Sequence, residues 1–94
     1  MFNKISIIGC GLIGSSILRA IRKNKISKSI QVYDKSKEVN SFLKEEKFHE
    51  YILNDISLVA KNTDLIIIAA PLSSYKEIFL SIKDHINKKT IITD

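Results

Sequence analysis

Apolar and polar residues along this chain of 94 residues change their period several times, and each change marks an element. "KISIIG", Lys4 to Gly9, is a short β-branched run stopped by glycine, which predicts a buried strand. Directly beyond it Ile13, Ile17, Leu18 and Ile21 recur at helical spacing, predicting a helix from about Leu12 to Asn24. "SIQVYD", Ser29 to Asp34, predicts a second strand. Ser36 then reads as the N-cap of a helix through Phe42 and Leu43, with Lys44 to Lys47 at its polar end. A short third strand is expected near Tyr51 to Leu53, followed by Asn54 or Asp55 capping a brief helix over Ile56 to Asn62. "DLIIIAAP", Asp64 to Pro71, is apolar on both faces, as a central parallel strand must be. Ser73 or Ser74 opens a helix through Ile78, Phe79 and Ile82, and "TIIT", Thr90 to Thr93, begins a fifth strand. Strand and helix alternate throughout, so right-handed crossovers give a parallel sheet covered on both faces.

Within that order "IIGCGLIGSS" stands out, because three glycines, Gly9, Gly11 and Gly14, fall where the first strand turns into the first helix. Such a GxGxxG does three jobs: Gly9 permits the tight turn, Gly11 lets a pyrophosphate approach the backbone, and Gly14 lets helix and strand pack closely. The N–H groups and macrodipole at the helix start then hold the phosphates. The motif is weak alone. Here an acidic residue, Asp34, ends the second strand about 20 residues beyond Gly14, the spacing of a carboxylate that grips the adenosine ribose. The expected fold is therefore α/β, an incomplete doubly wound parallel sheet of the Rossmann NAD(P)-binding type with strand order 3-2-1-4-5.

Composition narrows the function classes without changing that reading. There are 15 Lys and Arg against 10 Asp and Glu, a formal net charge of +5. The lysines are scattered among acidic residues and no basic run is interleaved with aromatics, so no nucleic-acid partner is expected. The single cysteine, Cys10, cannot form an internal disulfide and reads as a small residue filling the turn, although a thiol near a helix N-terminus is also a candidate reactive group. "MFNKISIIG" lacks the longer apolar segment of a signal peptide and nothing reaches membrane-spanning length, so a cytoplasmic location without a membrane partner is expected.

The stretches "IIGCGLIGSSILRAIRK", "VYDKS", "DLIIIAAPLSSYKEIF" and "TIITD" resemble the N-terminal half of the prephenate/arogenate (cyclohexadienyl) dehydrogenase family. The likeness covers essentially the whole chain, and its most telling parts are "GLIGSS" and the strand ending in Ala-Pro before a Ser/Tyr-containing turn. The resemblance implies oxidative decarboxylation of a cyclohexadienyl substrate in tyrosine biosynthesis, with NAD as cofactor and NADP as the alternative. It also implies that residues 1–94 are the N-terminal part of the dinucleotide-binding domain. The catalytic histidine, further substrate-binding groups and a helical dimerisation domain would lie later, in a homodimeric full-length enzyme. Within residues 1–94 no catalytic residue and no metal ligand is assigned, so this stretch alone is expected to be inactive. His49 and His85 read as solvated.

The cofactor-binding set is Gly9, Gly11, Leu12, Ile13, Gly14, Ser16, Asp34, Lys35, Pro71 and Ser73. Several members have plainer readings. Ser16, and less so Ser15, can donate to phosphate or act as a local cap. Pro71 and Ser73 follow a central strand, where ligands sit in open α/β sheets, but Pro71 can equally end the strand and Ser73 cap the helix. Lys35 and Lys37 flank Asp34 and can accept a 2′-phosphate, or are ordinary solvated lysines. Two other functions fit the same glycines: another small-substrate dehydrogenase or reductase of the 3-hydroxyisobutyrate or pyrroline-5-carboxylate type, and a free-standing NAD-binding module without chemistry.

Overall fold

Alternation along β1 (Phe2–Ile8) sends its side chains to two sides, and two separate cores form on them. Ile5 and Ile7 pack with Leu18, Ile21, Val32, Leu43 and Phe48, whereas Ile8 packs with Val59, Ala60, Ile66, Ile68, Ile78 and Ile82. The computed structural model describes residues 2–9 and 11–94, with Leu12 and His49 described by their backbone alone. Among these, β1, β2 (Ser27–Tyr33), β3 (Leu65–Ile68) and β4 (Ile91–Thr93) form one sheet in the order β2-β1-β3-β4. All three pairings are parallel: Ile5 lies opposite Ile30 on one side and Leu65 on the other, and Leu65 lies opposite Ile91. Helices α1 (Leu12–Asn24) and α2 (Lys37–Glu45) supply the first core and α3 (Tyr75–Ile82) the second, which is the doubly wound arrangement.

Four described strands form where five were expected. The segment at Tyr51–Leu53 takes the anticipated place beside β2 but makes only a single parallel bridge, Ile52 to Val32, with the Leu53 N–H donating to the Val32 carbonyl at 2.7 Å. A 3₁₀ turn at His49–Tyr51 runs into it, and Asp55 already caps the next turn by accepting from the Ser57 N–H at 3.0 Å. No length is left for a ladder. The order is thus 3-2-1-4-5 with the third strand reduced to that bridge.

The brief helix expected over Ile56–Asn62 is likewise only a 3₁₀ turn, Ile56–Leu58. The Val59 carbonyl there is turned into the sheet, where it accepts from Ser6 Oγ at 2.8 Å, Thr63 Oγ1 at 2.6 Å and Gln31 Nε2 at 3.3 Å. Those bonds satisfy Ser6 and Thr63, both buried, and draw the carbonyl away from a helical ladder. Ser36 does cap α2, accepting from the Val39 N–H at 3.3 Å. At the start of α3 no serine side chain caps; Leu72–Ser74 forms a 3₁₀ turn, closed by Ser74 N–H donating to the Pro71 carbonyl at 2.9 Å. No helix among the described residues is long and apolar enough to cross a membrane.

Candidate functional site

The carboxyl ends of β1, β2 and β3 lie side by side, and two backbone bonds extend their register by one residue. Gly9 N–H donates to the Tyr33 carbonyl and Ala69 N–H donates to the Ile8 carbonyl, each at 2.8 Å. The glycine turn is thereby held between Tyr33-Asp34 on one flank and Ala69-Ala70 on the other, at the end of an open sheet where ligands bind.

The three glycines differ in what surrounds them. Gly9 has φ of 85°, and a Cβ on it would stand 2.9 Å from the Ala70 nitrogen and 3.0 Å from the Ala69 carbonyl carbon. Gly14 is buried in the first turn of α1, and a Cβ there would run into the Gly9 carbonyl oxygen. Gly9 and Gly14 are therefore needed by the fold itself. Gly11 is exposed at the N-cap of α1, and a Cβ on it would meet nothing within 4 Å. Its bare backbone leaves an open approach to a helix start that has no side-chain cap and no acid in its first turn, with Arg22 and Lys23 at the far end. That polarity suits an anion.

A crevice of about 280 Å³ opens here. Its floor and near wall are Ile8, Gly9, Gly11, Tyr33, Asp34 and Lys35; its far wall is Ala69, Ala70, Pro71, Ser74, Glu77, Ile78 and Ser81, with Ile56 at the side. Asp34 is held from the start of α2: the Ser36 N–H donates to its Oδ1 at 2.8 Å and Asn40 Nδ2 donates to its carbonyl at 2.9 Å. The open cradle at Gly11, the uncapped helix start and the carboxylate on one crevice fit a dinucleotide.

Of the expected binding set, Gly9, Gly11, Asp34, Lys35 and Pro71 line the crevice. Gly14 lies beneath the turn as a packing residue. Ser16 faces a separate hollow with Gly11, Ser15, Arg19, Glu38, Val39 and Phe42, and Ile13 points outward, 71% exposed. Ser73 is exposed in its 3₁₀ turn, and its neighbour Ser74 takes the crevice position instead. Leu12 opens α1, its side chain lying outside the described residues, as do Cys10 and the side chain of His49. Lys37 begins α2, exposed and away from the crevice, and His85 is exposed in the 3₁₀ turn Lys83–His85. Among the described residues no three His, Cys, Asp or Glu side chains gather as a metal site.

Sequence reading missed Ile8, Tyr33, Ile56, Ala69, Ala70 and the α3 wall. A signal for the last was present: positions 74, 77, 78 and 81 repeat at helical spacing and share one face of the chain that follows the β3 turn. Directly after Ser74 the Tyr75 hydroxyl donates to Asp94 Oδ2 at 3.2 Å. Desolvation first, and then the Asp94 charge, push the phenol above its ordinary 10.0.

The profile of the family described as NADP oxidoreductase, coenzyme F420-dependent, matches residues 4–94. Over 94 residues the chain is 29% identical to the cyclohexadienyl dehydrogenase of Zymomonas mobilis, covering 100% of this chain and 32% of that one. The prephenate dehydrogenase of A. aeolicus, solved with hydroxyphenyl propionate and NAD+, superposes with a TM-score of 0.84 at 18% identity, over 100% of this chain and 33% of the other. Plasmodium falciparum pyrroline carboxylate reductase with NADP bound superposes with a TM-score of 0.76 at 17% identity, over 97% and 32%. This chain therefore spans about a third of the length of these proteins. At such identities the two structures establish a shared fold.

Proposed function

The chain belongs to the family described as NADP oxidoreductase, coenzyme F420-dependent, and on that premise we propose that it is the N-terminal, nucleotide-holding part of a cyclohexadienyl dehydrogenase acting on prephenate or arogenate. The observation that carries the nucleotide reading is the contrast among the glycines: packing accounts for Gly9 and Gly14, while Gly11 leaves open space at an uncapped helix start beside Asp34. The identity to the Zymomonas mobilis enzyme along the whole chain supports the substrate class. On this reading the enzyme works as a cytoplasmic homodimer on a small-molecule substrate.

The roles of the chain's own groups follow from their positions. The backbone at Gly11 and the first turn of α1 face the pyrophosphate, their N–H dipoles offsetting its charge. The Asp34 carboxylate accepts from the ribose hydroxyls, and a second negative charge in the form of a 2′-phosphate is repelled there, so NAD is preferred over NADP. Ile8, Ile56 and Ile78 give the crevice apolar walls that exclude water from the bound base. The nicotinamide, when bound, supplies the hydride acceptor for the oxidation.

Two measurements test this. Calorimetric titration should show saturable NAD binding that weakens at least tenfold, roughly, in Gly11→Val, where the branched side chain occupies the phosphate approach. Equal affinity in the variant, or no binding by the wild type, overturns the nucleotide reading. The full-length protein should then reduce NAD with prephenate or arogenate; turnover of a pyrroline carboxylate with neither cyclohexadienyl acid accepted overturns the substrate class and leaves the cofactor site standing.

A further inference from the structure

Asn40 sits one turn into α2 and outside the crevice, yet its side chain reaches back six residues to the crevice carboxylate's own peptide. Its Nδ2 donates to the Asp34 carbonyl at 2.9 Å, while its backbone N–H donates to the Ser36 carbonyl at 3.1 Å within the helix. The orientation of the amide follows from this bond, because only the NH₂ group can serve a carbonyl oxygen. Asn40 Oδ1 is left buried with no hydrogen-bond partner among the described residues. Leucine has the same branching without a buried polar oxygen, so the bond to the Asp34 carbonyl is what the amide adds at this position.

The segment that Asn40 grips is held at a second point as well. The Ser36 N–H donates to Asp34 Oδ1 at 2.8 Å, and Ser36 Oγ in turn accepts from the Val39 N–H at 3.3 Å, so these two holds on Asp34 come from the start of α2. One anchor sets the plane of the carboxylate and the other sets the plane of the peptide that carries it. Lys35 lies next in the chain and lines the same crevice, exposed. Two side chains of opposite charge are thus adjacent at one crevice wall, joined by the peptide whose carbonyl Asn40 holds.

We propose that Asn40 is a positioning residue for cofactor choice: by holding the Asp34 carbonyl it turns the Asp34 carboxylate, and not Lys35, toward the adenosine ribose, favouring a free 2′-hydroxyl over a 2′-phosphate. The proposal rests on the dinucleotide reading of the crevice. It assigns a role to a residue that touches neither cofactor nor substrate, so its signature is a change in the ratio of two affinities that vanishes when Asp34 is absent. A ratio is the correct readout because NAD and NADP both require the folded chain, and any loss of folded protein cancels between them.

The experiment is a double-mutant cycle on the full chain, with NAD and NADP titrated by calorimetry into wild type, Asn40→Leu, Asp34→Ala and the double variant, and each melting temperature recorded. In Asn40→Leu the NAD:NADP affinity ratio is expected to fall roughly three- to tenfold, the scale of one hydrogen bond, whatever the change in melting temperature. In the Asp34→Ala background the same substitution should leave the ratio unchanged. An unchanged ratio in Asn40→Leu, with a wild type that prefers NAD, overturns the role of Asn40 and leaves the dinucleotide reading intact. An equal fall in both backgrounds also overturns it, since Asn40 then does not act through Asp34. A wild type that binds neither nucleotide overturns both readings together. Asn40→Ala repeats the measurement with a smaller side chain; opposite ratio changes in Asn40→Ala and Asn40→Leu would trace the effect to volume and overturn the proposal.

Discussion

α1 and α3 both link parallel strands and both begin at the crevice, but they are built differently. α1 runs for 13 residues, with Leu18 0% and Ile21 4% exposed, and ends at Lys25 in the left-handed conformation, whose N–H donates to the Ile21 carbonyl. α3 runs for 8 residues, buries Ile78 and Ile82, and leaves Phe79 and Leu80 40% and 56% exposed. Their starts differ too. α1 has no acid in its first turn and enters through bare glycine backbone, whereas α3 carries Glu77 there and enters through a Pro71 turn. The dipole of α1 is thus not offset by a carboxylate in its first turn, while that of α3 is offset within the chain by Glu77. Both helices bury their inward side chains, and the difference lies in the outer face of α3, which carries the exposed Phe79 and Leu80.

Truncating each helix should expose that contrast most strongly. Leu18→Ala empties a fully buried site on α1 and is expected to cost about 2–5 kcal/mol in chemical denaturation. Leu80→Ala on α3 should stay within about 0.5 kcal/mol. Comparable losses would mean that the outer face of α3 is covered in solution.

The glycines sharpen the comparison at the α1 end. Gly14→Ala places a Cβ against the Gly9 carbonyl oxygen, backbone that must shift, and should destabilise by about 1–3 kcal/mol. Gly11→Ala meets no neighbour and should cost no more than about 1 kcal/mol, the worth of an N-cap preference. Matching stability losses would remove the distinction between fold glycines and a ligand glycine.

The smallest effect lies beside the far wall, at Asp55. Its carboxylate accepts from the Ser57 backbone N–H, which holds its pKa below the ordinary 3.8. A depressed carboxyl contributes stability that is complete above the unfolded-state pKa and lost as pH falls through the lower folded value. The acid limb of the stability curve, below about pH 4, should therefore flatten slightly in Asp55→Asn, with little change at neutral pH. A folded-state titration by NMR at or above 3.8 would show that the cap does not favour the charged form.

Much of the fold was legible because its signals are local. The helix bounds Leu12–Asn24, the Ser36 cap and the apolar run of β3 follow from periodicity and capping chemistry, which act within a few residues. The third strand shrinks to one bridge because the His49–Tyr51 turn and the Asp55 cap close in on it from both sides, and the Ile56–Asn62 helix stops after one turn because the Val59 carbonyl is claimed from far along the chain by Ser6 and Gln31. The binding set divides in the same way. That Gly9, Gly11 and Asp34 line one crevice was legible, since a strand–turn–helix joint with an acid after the second strand is a spacing in one dimension. Ser74 rather than Ser73 and the wall of Glu77 and Ser81 were decided only when β3 and α3 came to lie across from β2, whereas the grip of Asn40 on Asp34 spans six residues and was set by how the first turn of α2 folds back on the end of β2. A spacing specifies which residues can meet a ligand from one segment, but the opposite wall belongs to whichever segment the parallel crossover brings there, and only the packed sheet sets its register.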